Sequence, residues 1–126
     1  MTMAIWCVLI AALLPIVSTG ISKALGGAYD NNDPRGRALS YQGRAKRAHA
    51  AHLNGYESFP FFAAAVLLAE MKGGTGGTVG ILALVHVGTR IGYIAAYIGD
   101  KATLRSFLWG ASLFATIAIF TAPAWR

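Results

Sequence analysis

The chain has 126 residues, of which 56% are hydrophobic and only 13% charged, with a formal net charge of +6. So little charge excludes an ordinary soluble domain, which needs more to stay dispersed. The lone cysteine, Cys7, excludes an internal disulfide.

The apolar residues fall in four blocks, at residues 3–21, 54–71, 79–98 and 104–125. Each is near the roughly 20 residues that cross a bilayer as helix. The expected architecture is therefore all-α, an integral-membrane four-helix bundle forming a single domain over residues 1–126. No Lys or Arg precedes Lys23, so the positive n-region of a signal peptide is missing, and no convincing small-x-small cleavage site follows Pro15; the first block therefore reads as a membrane helix. It should end near Gly26 and Gly27, since paired glycines break helices.

The stretch YDNNDPRG has turn chemistry, and Pro34 is expected to stop any helix running through it. Helix two should begin near Tyr41, because YQGRAKRAHAAH is rich in good helix formers. KGGTGG, residues 72–77, reads as a tight loop; it lacks the Gly-Lys-Ser/Thr ending of a phosphate loop. IGDKAT, residues 98–103, turns the chain into helix four, with Asp100 as its expected N-cap.

The basic residues follow this topology rather than a nucleic-acid footprint. Lys23, Arg35, Arg37, Arg44, Lys46 and Arg47 flank or fill the first loop, and Lys101 and Arg105 sit at the third. The second loop offers only Lys72. The positive-inside rule then places loops one and three in the cytoplasm and both termini outside.

Polar residues inside the middle helices are the chemical signal. On a helical wheel Arg47 lies about 20° from Asn54, and Glu57 about 60° to the other side. These three share a face. On helix three His86, Arg90, Tyr93 and Tyr97 fall within roughly 60° of one another. Gly88, Gly92, Ala96 and Gly99 form a separate small-residue stripe, expected to let a neighbouring helix approach closely. An ionised side chain inside the membrane costs about 2.5–3.5 kcal/mol on insertion scales, so Glu57 and Arg90 need partners or water. Two readings follow: a Glu57–Arg90 pair that only fixes packing, or a polar cavity that binds a charged ligand. His86 reads as a hydrogen-bonded packing residue. His49 and His52 read as an interfacial face, since no third metal ligand is evident. Trp6, Trp109 and Trp125 suit membrane-interface or lipid-facing positions, and Pro60 a kink or a freed carbonyl.

Taken together, R-x6-N-x2-E-x2-P from Arg47 through Asn54 and Glu57 to Pro60, R-x2-Y-x3-Y at Arg90, Tyr93 and Tyr97, and an Arg opening helix four resemble the MAPEG family. These are the membrane-associated proteins of eicosanoid and glutathione metabolism, and YDNNDPR is similar to bacterial members. The resemblance covers nearly the whole chain. It implies a homotrimer in the bilayer, in a bacterial inner membrane, with glutathione as co-substrate between subunits near the cytoplasmic side. It implies that Asn54, Glu57, Arg90, Tyr93 and Tyr97 contact glutathione. Arg47 joins them on its wheel position. Arg105 would hold the thiol as thiolate, with Ser106 beside it as in the prostaglandin E synthase. The implied substrate is a hydrophobic electrophile or lipid hydroperoxide. Glutathione-using members commonly carry an Arg four residues before the Asn, and some another immediately before it; here these positions are Ala50 and Leu53. The family also includes non-catalytic trimeric lipid-binding members, which gives the alternative: an accessory protein of the same fold.

Overall fold

The computed structural model describes residues 1–73 and 77–125. Four long helices dominate: α1 (Met3–Leu25), α3 (Gly43–Met71), α4 (Gly77–Ile98) and α5 (Ala102–Thr121). A short α2 (Pro34–Leu39) lies between α1 and α3, and a 3-10 turn (Ala122–Ala124) ends α5. Helices two, three and four of the sequence reading are thus α3, α4 and α5. Part of the expected loop at residues 72–77 lies outside the described residues.

Among the described residues three helices are long and apolar enough to cross a membrane: α1, α4, and α5 with its 3-10 extension. The fourth, α3, misses that measure because even its more apolar half carries Asn54, Glu57, Pro60 and Glu70. Its apolar half packs nonetheless. Phe62, Ala65, Val66 and Ala69 are buried against Ala4, Cys7 and Ala11 of α1 and Val79, Ala83 and Val87 of α4. The core is rich in alanine, so the helices can approach closely. Large apolar side chains point outward instead, among them Leu13, Ile16, Val17, Phe107 and Phe114. This inside-out distribution suits hydrocarbon surroundings.

α3 approaches α1 closely at Gly55. A Cβ there would lie 2.8 Å from Pro15 Cγ of α1. The sequence pointed to the Gly88/Gly92 stripe. Within the subunit, however, a Cβ on Gly88 would meet nothing within 4 Å, and one on Gly92 would meet Leu108 at 3.1 Å. The stripe is therefore divided: Gly88 is exposed, while Gly92 packs on Leu108 of α5 and Ala96 is buried beside the inward-turned His86, Arg90 and Tyr93 face.

No helix runs through Pro34, but a short one starts at it. Asp33 is the N-cap, accepting from Gly36 N at 3.1 Å, and Pro34 takes the first helical position, where its missing N–H costs nothing. Asp100 does not cap α5, whose N-cap is Lys101 without a side-chain bond. Asp100 instead closes α4, in the left-handed region at φ 60°. Lys101 N donates to the Ala96 carbonyl at 2.8 Å and Asp100 N to Tyr97 at 3.1 Å, the two bonds of a Schellman stop. The end of α1 came out as read, with Gly26 as C-cap and Gly27 at φ 79°. α3 runs as one helix through Pro60.

Arg37 locks the first loop. Its guanidinium donates to the carbonyls of Ala28 and Gly26 and to the Ser40 hydroxyl, and lies over the Tyr41 ring. It therefore satisfies carbonyls at the end of α1, which cannot be paired within the helix.

Candidate functional site

The polar faces of α3 and α4 meet at one bond. Arg90 Nη2 donates to Asn54 Oδ1 at 2.8 Å, and Asn54 Nδ2 donates to Glu57 Oε2 at 3.4 Å. Asn54 therefore stands between the acid and the base. No Glu57–Arg90 ion pair forms, and Glu57 is exposed. Arg90 is only 3% exposed, and its Nη1 is buried with no hydrogen-bond partner.

From Arg90 a ladder of rings runs toward the start of α5. The Arg90 guanidinium carbon lies 4.2 Å from the Tyr93 ring centroid. Tyr93 meets Tyr97 edge to face at 5.6 Å. Arg105 lies 4.4 Å from the Tyr97 centroid. Cation–π contacts of this kind contribute about 0.5–2 kcal/mol each. They hold both guanidinium groups without consuming their charge. The Arg105 guanidinium makes no hydrogen bond or ion pair among the described residues. The spacing of Arg90, Tyr93 and Tyr97 signalled a shared face, but the stacking of Arg105 on Tyr97 crosses a turn and has no sequence period.

Arg47 is placed at the same end. Its Nε donates to the Ile98 carbonyl at 3.1 Å, tying α3 to the last turn of α4. Ser106 is exposed and lines an apolar groove of about 490 Å³ with Leu82, Val85, Phe107, Gly110 and Phe114. Arg105 and Ser106 are thus adjacent in sequence but face different surroundings.

Asn54 and Glu57 also line a cavity of about 190 Å³ between α3, α4 and α5, with His86, Trp109 and Thr116. His86 is 2% exposed. Its Nδ1 lies 3.2 Å from the Ser112 carbonyl and 3.1 Å from the Thr116 hydroxyl, and its ring stacks on Phe62 at 3.8 Å. These contacts match the packing role expected for it.

The model of the MAPEG family matches residues 3–125, nearly the whole chain.

The chain belongs to the MAPEG family.

No curated protein and no solved structure gives a match. Membership in the MAPEG family fits the three membrane-capable helices and points to glutathione-related transferase or peroxidase chemistry, or a related activity. The residues that carried the resemblance now have a geometry. Arg47, Arg90, Tyr93, Tyr97 and Arg105 gather where α4 ends and α5 begins, and Asn54 and Glu57 adjoin them from α3.

Proposed function

We propose that the protein is a membrane-embedded glutathione-dependent transferase or peroxidase, acting as a homotrimer on hydrophobic electrophiles or lipid hydroperoxides. The observation that carries this reading is Arg90. A guanidinium buried among membrane helices, with one nitrogen unpartnered and no acid paired to it, is costly unless an anion completes it. Glutathione has the required charges: two carboxylates and one ammonium. Arg90 and Arg47 take carboxylates and Glu57 the ammonium, through charge-assisted hydrogen bonds. Asn54, Tyr93 and Tyr97 fix the orientation. Arg105, free of other polar partners among the described residues, holds the thiol as thiolate, and Ser106, next in sequence, faces the adjoining apolar groove through which a hydrophobic substrate would approach. In transfer, the sulfur forms a bond to an electrophilic carbon and the leaving group departs with its electron pair. In peroxide reduction, the thiolate attacks the terminal oxygen, the O–O bond breaks and the alkoxide leaves, taking a proton to become the alcohol; the resulting sulfenic acid then reacts with a second glutathione thiol to give the disulfide and water.

Ala50 and Leu53 favour a second reading, a non-catalytic trimeric lipid-binding protein of the same fold. Thermal unfolding separates the two. Saturating glutathione should raise the wild-type melting temperature by several degrees, since ligand at a hundred times Kd stabilises by about 2.7 kcal/mol. A melting temperature indifferent to millimolar glutathione would leave the lipid-binding reading.

In this reading α3 makes the fourth membrane crossing with its half beyond Asn54. Loops one and three face the cytoplasm of a bacterial inner membrane, and both termini lie outside. Single-cysteine labelling at Asn32 and Lys72, in a Cys7→Ser background, should show opposite accessibility. Labelling of both from one side of the membrane contradicts this topology.

A further inference from the structure

A second cavity, of about 670 Å³, lies under α2, walled by the last turns of α1 and the first half of α3. It shares no lining residue with the candidate site. Its cations are Lys23 and Arg35, and no acidic residue lines it. The acids of the same loop are occupied: Asp33 accepts from Gly36 N and Asp30 from Asn32 N. Arg35 makes no hydrogen bond or ion pair among the described residues, in contrast to the fully engaged Arg37. The histidines are otherwise used. His52 Nδ1 donates to the Pro15 carbonyl at 2.8 Å. His49 packs between Tyr41 and His52, and burial followed by the charge of His52 lowers its pKa from the usual imidazole value.

Further down, the lining turns apolar, with Leu53 and Tyr56 on α3. Leu39 borders the cavity from α2 and is 87% exposed, unusual for a leucine in a basic loop unless the loop rests on a membrane surface. Lys23 marks the height at which α1 leaves its apolar stretch. Cations above and apolar wall below are the profile of a phospholipid at the interface.

We propose that this cavity binds one anionic phospholipid, its phosphodiester headgroup held by Lys23 and Arg35 and its acyl chains passing Leu53 and Tyr56 into the bilayer.

Native mass spectrometry of the intact protein, from micelles holding equal phosphatidylglycerol and phosphatidylcholine, tests this. One phosphatidylglycerol per subunit should be retained, with a preference of about fivefold for each cation, as expected for basic residues at a membrane surface. Lys23→Ala with Arg35→Ala should abolish the preference, and Lys23→Arg with Arg35→Lys should restore it. Arg44→Ala with Lys46→Ala removes the same charge outside the cavity and should leave it intact. The proposal fails if both alanine pairs act alike, or if the Lys23/Arg35 pair has no effect. Displacement of the lipid by excess inorganic phosphate would overturn it in favour of a bare anion site. Displacement by glutathione would instead merge the cavity with the site around Arg90. Glutathione binding itself is read separately through Arg90→Ala, so either reading can fail alone.

Discussion

Gly55→Leu is expected to loosen α1 from α3 and lower stability by about 1–3 kcal/mol, the usual cost of overpacking. Two effects of opposite sign compete. Any side chain in place of glycine gains up to about 1 kcal/mol of helix propensity. At Gly55 the new Cβ would press on the Pro15 ring, 2.8 Å away at Cγ and 3.3 Å at Cβ. Pro15 is fully buried, and its ring cannot rotate aside. The clash therefore wins. Gly88→Ala offers the opposite case, since a Cβ there enters open space within the subunit. It should be neutral or mildly stabilising. Thermal unfolding in detergent reads both. Equal tolerance at both positions would show that the Pro15–Gly55 contact does not hold the helices together. A loss of assembly with Gly88→Ala would place the small-residue stripe between subunits.

That contrast shows what the chain made legible and what it did not. A helical wheel tells which residues share a face, so the Arg90–Tyr93–Tyr97 stripe was visible from spacing alone. It does not tell which face turns inward. The rule that small residues mark contacts favoured Gly88 and Gly92; Gly92 does pack closely on Leu108, but Gly88 meets nothing in the chain, because α4 buries its polar and aromatic side. The reason is that Arg90 finds Asn54, Tyr93 and the interior there, while Gly88 has nothing polar to hide. The break at Pro34 was legible, but the short helix that it opens was not. Asp followed by Pro is an N-cap and first helical position as readily as a turn, and Asp33 with its bond to Gly36 N settles it locally. Asp100 was assigned to the helix after it although it closes the one before, because Asp serves either end: it caps, and it tolerates the left-handed region. The Glu57–Arg90 pair, one of the two readings open in the sequence, does not form, for a different reason. Asn54 lies on the same face and reaches Arg90 first, which no periodicity can foresee. Arg47 was read as a ligand residue; its bond to Ile98 shows that it also anchors the end of α4.

Arg90→Ala and Arg105→Ala should fail in different ways if glutathione is the ligand. Arg90 is fixed by Asn54 and Tyr93 and keeps one nitrogen without a hydrogen-bond partner among the described residues, so in the proposed reading it would hold an anion. Removing it deletes a charge-assisted hydrogen bond of about 1.5–3 kcal/mol, which corresponds to a loss in affinity on the order of 10- to 100-fold. Arg105 is held only by the Tyr97 ring, with its hydrogen-bonding capacity unspent. A free thiol has a pKa of about 8.5 and is mostly protonated at neutral pH. A guanidinium beside it lowers that value and raises the thiolate fraction. Arg105→Ala should therefore leave the glutathione affinity nearly unchanged while turnover falls about a hundredfold, as when a single charge-stabilising donor is lost. Calorimetry reads the affinity and ultraviolet thiolate absorbance reads the ionisation, so the two roles are measured independently of turnover. A purely structural Arg90 gives another pattern: its alanine variant would melt lower than wild type, and glutathione would protect neither. If Arg105→Ala instead weakens binding as much as Arg90→Ala and leaves the thiolate absorbance of the bound complex unchanged, Arg105 is a second carboxylate anchor. The group that ionises the thiol would then have to be sought elsewhere along the Tyr93–Tyr97 ladder.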